Sequence, residues 1–269
     1  VTLAIAVVTA DGLVVAADSR TTFSGAGHMR VLSDFTHKVF KVDQVAVATY
    51  GFAFINNRNI AGHVAEFVRE LDEPLRPEAL AQRLSGRFGA LLEEHFEAGL
   101  DLRPDAGSDV LGFLVAGYAD GTGVLFEVGL PSGTITRIAD SNVGGAAWRG
   151  QTDVVIRLIK GFDLTLFSEL TSSIDKAQLD AVQPAMNGME YAIPFNSLNL
   201  QDAIDFAALL IRTTIDVQRL TYGSAAKLGS WPGVGGPIEI AAVTPTSGFE
   251  WVQRTTLLGE RPAGTAEQG

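Results

Sequence analysis

Thr2-Leu3-Ala4-Ile5-Ala6-Val7-Val8, then Asp11-Gly12, then Leu13-Val14-Val15-Ala16-Ala17-Asp18-Ser19-Arg20 is the stretch on which the reading of this chain turns. Two β-rich apolar runs flank an Asp-Gly pair. Asp-Gly in that setting signals a hairpin, because tight hairpin turns need residues that accept positive φ. The second run ends on charge, with Asp18 and Arg20 directly after Val14-Val15-Ala16-Ala17. A carboxylate and a guanidinium at a buried strand end are costly unless they are paired. Each is therefore expected to meet an opposite charge, and Lys38, which opens the next β-rich run, is the candidate. A strand-end ion-pair network without chemistry is the alternative reading of the same residues.

After a loop holding Ser24, Gly25 and Gly27, Lys38-Val39-Phe40-Lys41-Val42 and Val45-Ala46-Val47-Ala48 form a second strand pair around Asp43-Gln44. Four strands are thus expected before any helix. Residues 53–72 and 77–98 show helical spacing, with Pro77 and Glu78 suited to a first turn. A second β block comprises Val110 to Tyr118, an Asp120-Gly121 turn, Val124 to Val128 and Thr134 to Ile138. Helices are expected over 148–160 and 200–220, before a last strand pair at Ile238 to Val243 and Phe249 to Val252. Runs of strands separated by helix pairs predict an α+β fold: two stacked antiparallel sheets flanked by helices, a four-layer αββα sandwich, rather than a doubly wound parallel sheet. The tract 162–199, which mixes Ser, Asp, Asn and Pro, reads as an insertion, and 259–269 as a flexible C-terminal tail. Residues 1–258 are expected to form one domain.

With 46% hydrophobic and 19% charged residues over 269 positions, the composition is that of a folded globular protein. The absence of cysteine excludes disulfides, thiolate zinc sites and a cysteine nucleophile together. A net charge of −11 argues against a nucleic-acid partner, whose phosphates are held by clustered Lys and Arg. No run approaches the roughly 20 apolar residues of a membrane span, and no basic segment leads into an apolar one at the N-terminus. A cytoplasmic protein without a membrane contact is expected. No metal-ligand spacing or phosphate-cradling glycine motif is present, so neither metal nor cofactor is expected. His28, His37, His63 and His95 show no pairing with a serine.

The run from Thr2 through Asp11-Gly12, Ala17-Asp18-Ser19-Arg20 and His37-Lys38-Val39-Phe40-Lys41-Val42 resembles the N-terminal third of proteasome β-subunits and of their bacterial ring-forming peptidase relatives, which share the N-terminal nucleophile (Ntn) hydrolase fold. In that family a threonine nucleophile leads the hairpin, an Asp-x-Arg follows, and a lysine opens the next strand. The resemblance assigns these roles to Thr2, to Asp18 with Arg20, and to Lys38. The loop from Arg20 to Lys38 is longer than the family's, so Lys38 rests on the Lys-x-Phe-x-Val pattern. The strand ending Ala48-Thr49-Tyr50-Gly51 corresponds to the one bearing the family's oxyanion-hole glycine. Thr49 or Gly51 fills that place, with Thr49 preferred because only a backbone N–H is required. Asn142-Val143-Gly144-Gly145-Ala146 resembles the family's glycine-rich turn before a helix, and Gly235 to Val243 its final strand. The supporting serine of that turn falls on Val143 or Gly144, and the supporting Asp and Ser after the last helix fall near Leu220 and Gly223. Ser141, Thr221 and Ser224 are the substitutes.

The resemblance implies a threonine-type endopeptidase in which Thr2 attacks a peptide carbonyl. Its own freed α-amino group serves as base, having an ordinary pKa of about 7.7–8.0. Asp18 would hold Lys38, a backbone N–H near Thr49 would stabilise the oxyanion, and Thr22 would bind the substrate backbone as an added strand, with Tyr50 and Gly51 beside it. Arg20, Ser141 and Gly144 are supporting. Val1 blocks the Thr2 amine until removed, so a precursor or a silent structural subunit of the same fold stays open, as does an Ntn amidase acting on small amides. The implied partners are a peptide or unfolded protein, further copies of the chain in a ring, and an ATP-dependent unfoldase.

Overall fold

The computed structural model describes residues 2–25, 28–105, 107–172, 174–223 and 232–256. Val1, Ser224 and the tail expected over 259–269 lie outside the described residues. In chain order the strands begin with β1 (Leu3–Val8), β2 (Leu13–Asp18), β3 (Thr21–Gly25), β4 (His28–Ser33), β5 (Val39–Val42) and β6 (Val45–Gly51), then the short β7 (Phe54–Ile55) and β8 (Arg58–Asn59). Helices α1 (Ile60–Arg69) and α2 (Pro77–Glu97) follow, then β9 (Leu111–Ala119), β10 (Thr122–Leu130), β11 (Thr134–Asp140) and β12 (Gly145–Gly150). Next come α3 (Asp153–Lys160), α4 (Leu164–Thr171), α5 (Lys176–Asn187), a 3-10 turn at Phe195–Ser197 and α6 (Leu200–Leu220), before β13 (Ile238–Thr244) and β14 (Gly248–Gln253).

The result is a mixed α and β structure built on antiparallel sheets. One sheet runs β12-β1-β2-β13-β14 and the other β11-β10-β9-β6-β5. β1, and β2 up to Ala17, are apolar throughout because both faces are covered, the condition under which a strand reads as a continuous run rather than an alternation. Ala4, Ala6 and Val8 of β1 pack with Ala46, Ala48 and Leu125 of the other sheet. The intervening Leu3, Ile5 and Val7 pack against Val155 and Ile159 of α3 and Ala207 and Ile211 of α6. On the remaining face of the second sheet, α2 lays Leu80, Leu84, Phe88 and Leu92 against Phe113 and Val115. That four-residue spacing is the helical period read in the sequence.

Several expectations are corrected. The segment after Arg20 is not a plain loop but the hairpin β3–β4, and residues 54–59 form the β7–β8 hairpin rather than the start of a helix. Among the described residues eight strands, not four, precede α1. Trp148 lies in β12, which pairs with the whole of β1 from Leu3↔Gly150 to Val8↔Gly145, so the helix expected from 148 begins only at Asp153. Gly144-Gly145 therefore lead into a strand. The tract 162–199 contains α4 and α5, so two further helices interrupt the expected order. Among the described residues no helix is long and apolar enough to cross a membrane.

Candidate active site

Three of the predicted residues converge at one end of the β1–β2 hairpin. Asp18 is the last residue of β2, and Ala17 pairs with Ala4, so the Asp18 carboxylate reaches the start of β1. Its Oδ1 accepts the Leu3 N–H (2.9 Å) and the Lys38 Nζ ammonium (3.0 Å). Its Oδ2 accepts the Arg20 N–H (3.0 Å) and the Gly235 N–H (3.0 Å). A wholly buried carboxylate thereby has its acceptor sites filled. Lys38 is buried as well and gives a further hydrogen bond to the Arg20 carbonyl at 2.5 Å. Burial lowers the Lys38 ammonium pKa below its ordinary value, and the charge and hydrogen bond of Asp18, with the charge of Glu239, only partly oppose this. Thr2, itself 5% exposed, is the residue immediately before the Leu3 N–H that Asp18 holds.

Arg20 does not pair with Asp18 through its side chain. Its guanidinium forks onto Asp34 (Nε–Oδ1 2.6 Å, Nη2–Oδ2 3.0 Å) and donates to the Pro232 carbonyl. The hydrogen bond from Arg20 holds the Asp34 carboxyl below its ordinary range. The segment 232–237 wraps this corner: Ser19 N–H donates to the Gly235 carbonyl and Ser19 Oγ to the Pro237 carbonyl. A Cβ at Gly235 would sit 2.4 Å from Arg20 Cζ, so the guanidinium lies flat on this glycine. Glu239 of β13, fully buried, accepts the N–H groups of Lys38 (3.1 Å) and Val39 (3.4 Å) and meets His37 Nδ1. The sequence reading singled out none of Asp34, Gly235 and Glu239. Glu239 had a signal, a carboxylate inside the apolar run Ile238-Glu239-Ile240-Ala241.

Thr49 and Gly51 part company. The Thr49 N–H donates to the Lys38 carbonyl (3.0 Å), where β6 borders β5, so it is spent on the ladder and unavailable to an oxyanion. Gly51 ends β6 at φ 94°, and a Cβ there would lie 2.1 Å from the Val110 carbonyl oxygen. Only glycine fits both the dihedral and the space. The Tyr50 ring crosses Gly112 and its hydroxyl donates to Glu127 Oε1 (2.7 Å). Phe52 packs on the α1–α2 side, its ring edge-on to His95. Thr22 is half-buried on β3, which among the described residues pairs with β4 alone.

Ser141 and Gly144 are not brought to Thr2. Ser141 bonds both ways with Gly123 at the β10–β11 end, and Gly145 pairs with Val8, the far end of β1. Six residues of strand at roughly 3.3 Å each separate that turn from Thr2, about 20 Å. Thr221 caps α6 through Val217 and is exposed. β12 runs antiparallel to β1, so it is its C-terminal end that meets Thr2. The Gln151 N–H donates to the Thr2 carbonyl (2.7 Å), and a Cβ at Gly150 (φ 89°) would lie 1.9 Å from that carbonyl oxygen. Gly150 and Gln151, rather than Gly144, thus lie against Thr2, and among the described residues Gln151 Oε1 is buried with no hydrogen-bond partner.

A polar group crosses between the sheets beside this corner. Arg149 of β12 forks onto Glu127 of β10, with Nη2–Oε2 at 2.5 Å and Nε on Oε1, and Tyr50 of β6 completes it. Burial pushes the Glu127 carboxyl up, but hydrogen bonds from Arg149 and Tyr50 and the Arg149 charge leave it below its ordinary value. Because the folded value is depressed, the contribution of Glu127 to stability is complete above the unfolded carboxyl pKa of about 4.3 and is lost as pH falls through the folded value. Thermal melts from pH 6 down to about pH 2 are expected to fall more steeply in the wild type than in Glu127→Gln. Parallel curves would show that the pair adds no pH-dependent stability. Among the described residues no group of three or more His, Asp or Glu side chains converges as metal ligands would.

The fold class is that of antiparallel sheets packed together with helices against them, with a threonine, a buried lysine and a buried aspartate at one hairpin end. Solved structures of similar fold include Anbu proteins. The helical assembly of the Anbu complex from Pseudomonas aeruginosa matches with a TM-score of 0.53 at 17% identity, over 93% of this chain and 86% of that one. Anbu from Yersinia bercovieri, described as an ancestral β-subunit, gives 0.52 at 16% identity, over 93% and 86%. Anbu from Hyphomicrobium sp. strain MC1 gives 0.51 at 15%, over 93% and 85%. No family model and no curated protein matches the chain. The resemblance to proteasome β-subunits and bacterial ring-forming peptidases is corrected accordingly: the likeness in fold is to Anbu. The short N-terminal motif fixes one hairpin and cannot by itself distinguish among proteins built on it.

Proposed function

We propose that the chain is a threonine-type peptide hydrolase with Thr2 as nucleophile, on a single domain whose sheets and helices layer as αββα. The observation that carries this is Asp18, which grips the Leu3 N–H after Thr2 with the same oxygen that holds the Lys38 ammonium. A positive charge with a lowered pKa is thereby held beside the first strand, where it favours the neutral form of a nearby amine. Once its amino group is free, Thr2 adds its Oγ to the carbonyl carbon of a peptide bond. The Oγ proton passes to the Thr2 amine and then to the departing amine of the substrate; water later hydrolyses the ester.

The oxyanion donor in this reading is the Gly51 N–H. N–H groups two apart on a strand point to the same edge, so Gly51 follows Thr49 towards the Lys38 side, where β5 has not yet begun. Thr22 of β3 would bind the substrate backbone as an added strand. The description of the Pseudomonas aeruginosa Anbu complex as a helical assembly supports self-association of this chain. An ATP-dependent unfoldase as partner and a cytoplasmic site remain part of the proposal.

The test is intact mass and N-terminal sequencing before and after a β-lactone or epoxyketone probe. A chain that begins at Thr2 and gains the probe mass there, while Thr2→Ala gains none, is the expected result. A chain that keeps Val1 and takes up no probe would point instead to a silent structural subunit. Probe uptake with turnover of small amides but not peptides would point to an amidase.

A further inference from the structure

The Tyr50–Glu127–Arg149 group is costly to keep. It is a polar bridge between two sheets whose facing side chains are largely apolar, such as Ala4, Ala6, Ala48 and Leu125. A half-buried ion pair of this kind, with Arg149 still 32% exposed, adds little net stability, so its value lies in geometry, which a fork of fixed directions supplies.

The positions of its members say what it fixes. Tyr50 immediately precedes Gly51, and Arg149 immediately precedes Gly150 and Gln151, which close on the Thr2 carbonyl. Those two segments belong to different sheets, with no backbone hydrogen bond joining β6 to β12. Glu127, from the second sheet, takes the Tyr50 hydroxyl and the Arg149 guanidinium together on one carboxylate. The ring of Tyr50 is itself seated over Gly112, where any side chain would collide with it at 2.2 Å.

We propose that Tyr50, Glu127 and Arg149 are positioning residues that set the Gly51 N–H against Thr2, by locking the strand end that carries the oxyanion donor to the strand end that grips the nucleophile's carbonyl. The idea rests on the hydrolase reading for its catalytic consequence, but the mechanical coupling stands on its own. Donors and nucleophile in different sheets shift relative to each other when the sheets slide, and small misplacements of reacting groups lower turnover more than binding.

The experiment uses Tyr50→Phe, which removes one hydroxyl and leaves the ring on Gly112, and Arg149→Lys, which keeps the charge and loses the fork. Peptide kcat is expected to fall about tenfold in Tyr50→Phe with KM within about twofold, and further in Arg149→Lys. Hydrogen exchange followed by mass spectrometry supplies the second readout. Tyr50→Phe is expected to speed exchange in 149–152, on the opposite sheet, as well as in 49–52. Loosening confined to 49–52, or unchanged exchange in both, overturns the coupling. If the wild type neither takes up probe nor cleaves peptide, the hydrolase reading fails, and the exchange pattern alone decides the clamp.

Discussion

Asp18→Ala is expected to unfold the protein at a Tm lower by on the order of 10 °C and to abolish turnover. The substitution leaves the Lys38 ammonium buried without its counter-charge and removes the acceptor from the N–H groups of Leu3, Arg20 and Gly235. Breaking a buried pair from one side costs about 3–5 kcal/mol, and a chain of this size loses about 2–4 °C per kcal/mol. Asparagine is not expected to rescue it. Both carboxylate oxygens of Asp18 face donors only, so an amide NH2 in either place would confront two N–H groups or an N–H and an ammonium.

The partner substitution separates charge burial from the rest. Lys38→Met fills the same space, leaves Asp18 its three backbone donors, and should cost less stability than Asp18→Ala while ending activity. Combined, Asp18→Ala with Lys38→Met should be more stable than Asp18→Ala alone, because the stranded charge has gone. Denaturant melts of the four proteins form the cycle. A double variant no more stable than the aspartate variant would be evidence against a compensating pair.

The corner around Asp18 was legible because charge at the end of an apolar run is a strong physical signal. Asp18, Arg20 and Lys38 lie together as the sequence suggested, although Arg20 spends its side chain on Asp34. The same signal stood at Glu127 in Val124-Leu125-Phe126-Glu127-Val128 and at Glu239 in Ile238-Glu239-Ile240. Applied there, it would have found the half-buried Glu127 and the fully buried Glu239. The glycine turn was misread for a different reason. Gly145-Ala146-Ala147-Trp148-Arg149-Gly150 is too short, and too rich in alanine, for a helical period to be told from an alternation. With a helix expected from Trp148, the turn before it is assigned the supporting role, whereas it is Gly150 and Gln151 that lie against the Thr2 carbonyl. Which end of β12 meets Thr2 is a matter of sheet register, set by the partner strand β1 and not by anything local.

Gly51→Ala is expected to be strongly damaging for a single-methyl change, and its two effects can be measured apart. Holding a non-glycine residue at φ 94° costs about 1–3 kcal/mol in backbone strain, and the new Cβ would stand 2.1 Å from the Val110 oxygen, so the strand end must move. Nothing flexible can give way, since that oxygen belongs to the backbone and already accepts the Phe52 N–H. If Gly51 supplies the oxyanion N–H, displacing it should lower kcat by about 10²–10³, the usual loss for one such donor, in the fraction that remains folded. Thr49→Ala provides the contrast. It keeps the Thr49 N–H on the Lys38 carbonyl and removes a methyl and a hydroxyl whose contact to the Gly112 carbonyl is 3.4 Å, so kcat should stay within about twofold of wild type. A large loss in Thr49→Ala with a mild one in Gly51→Ala would reverse the assignment and return the oxyanion site to the middle of the strand.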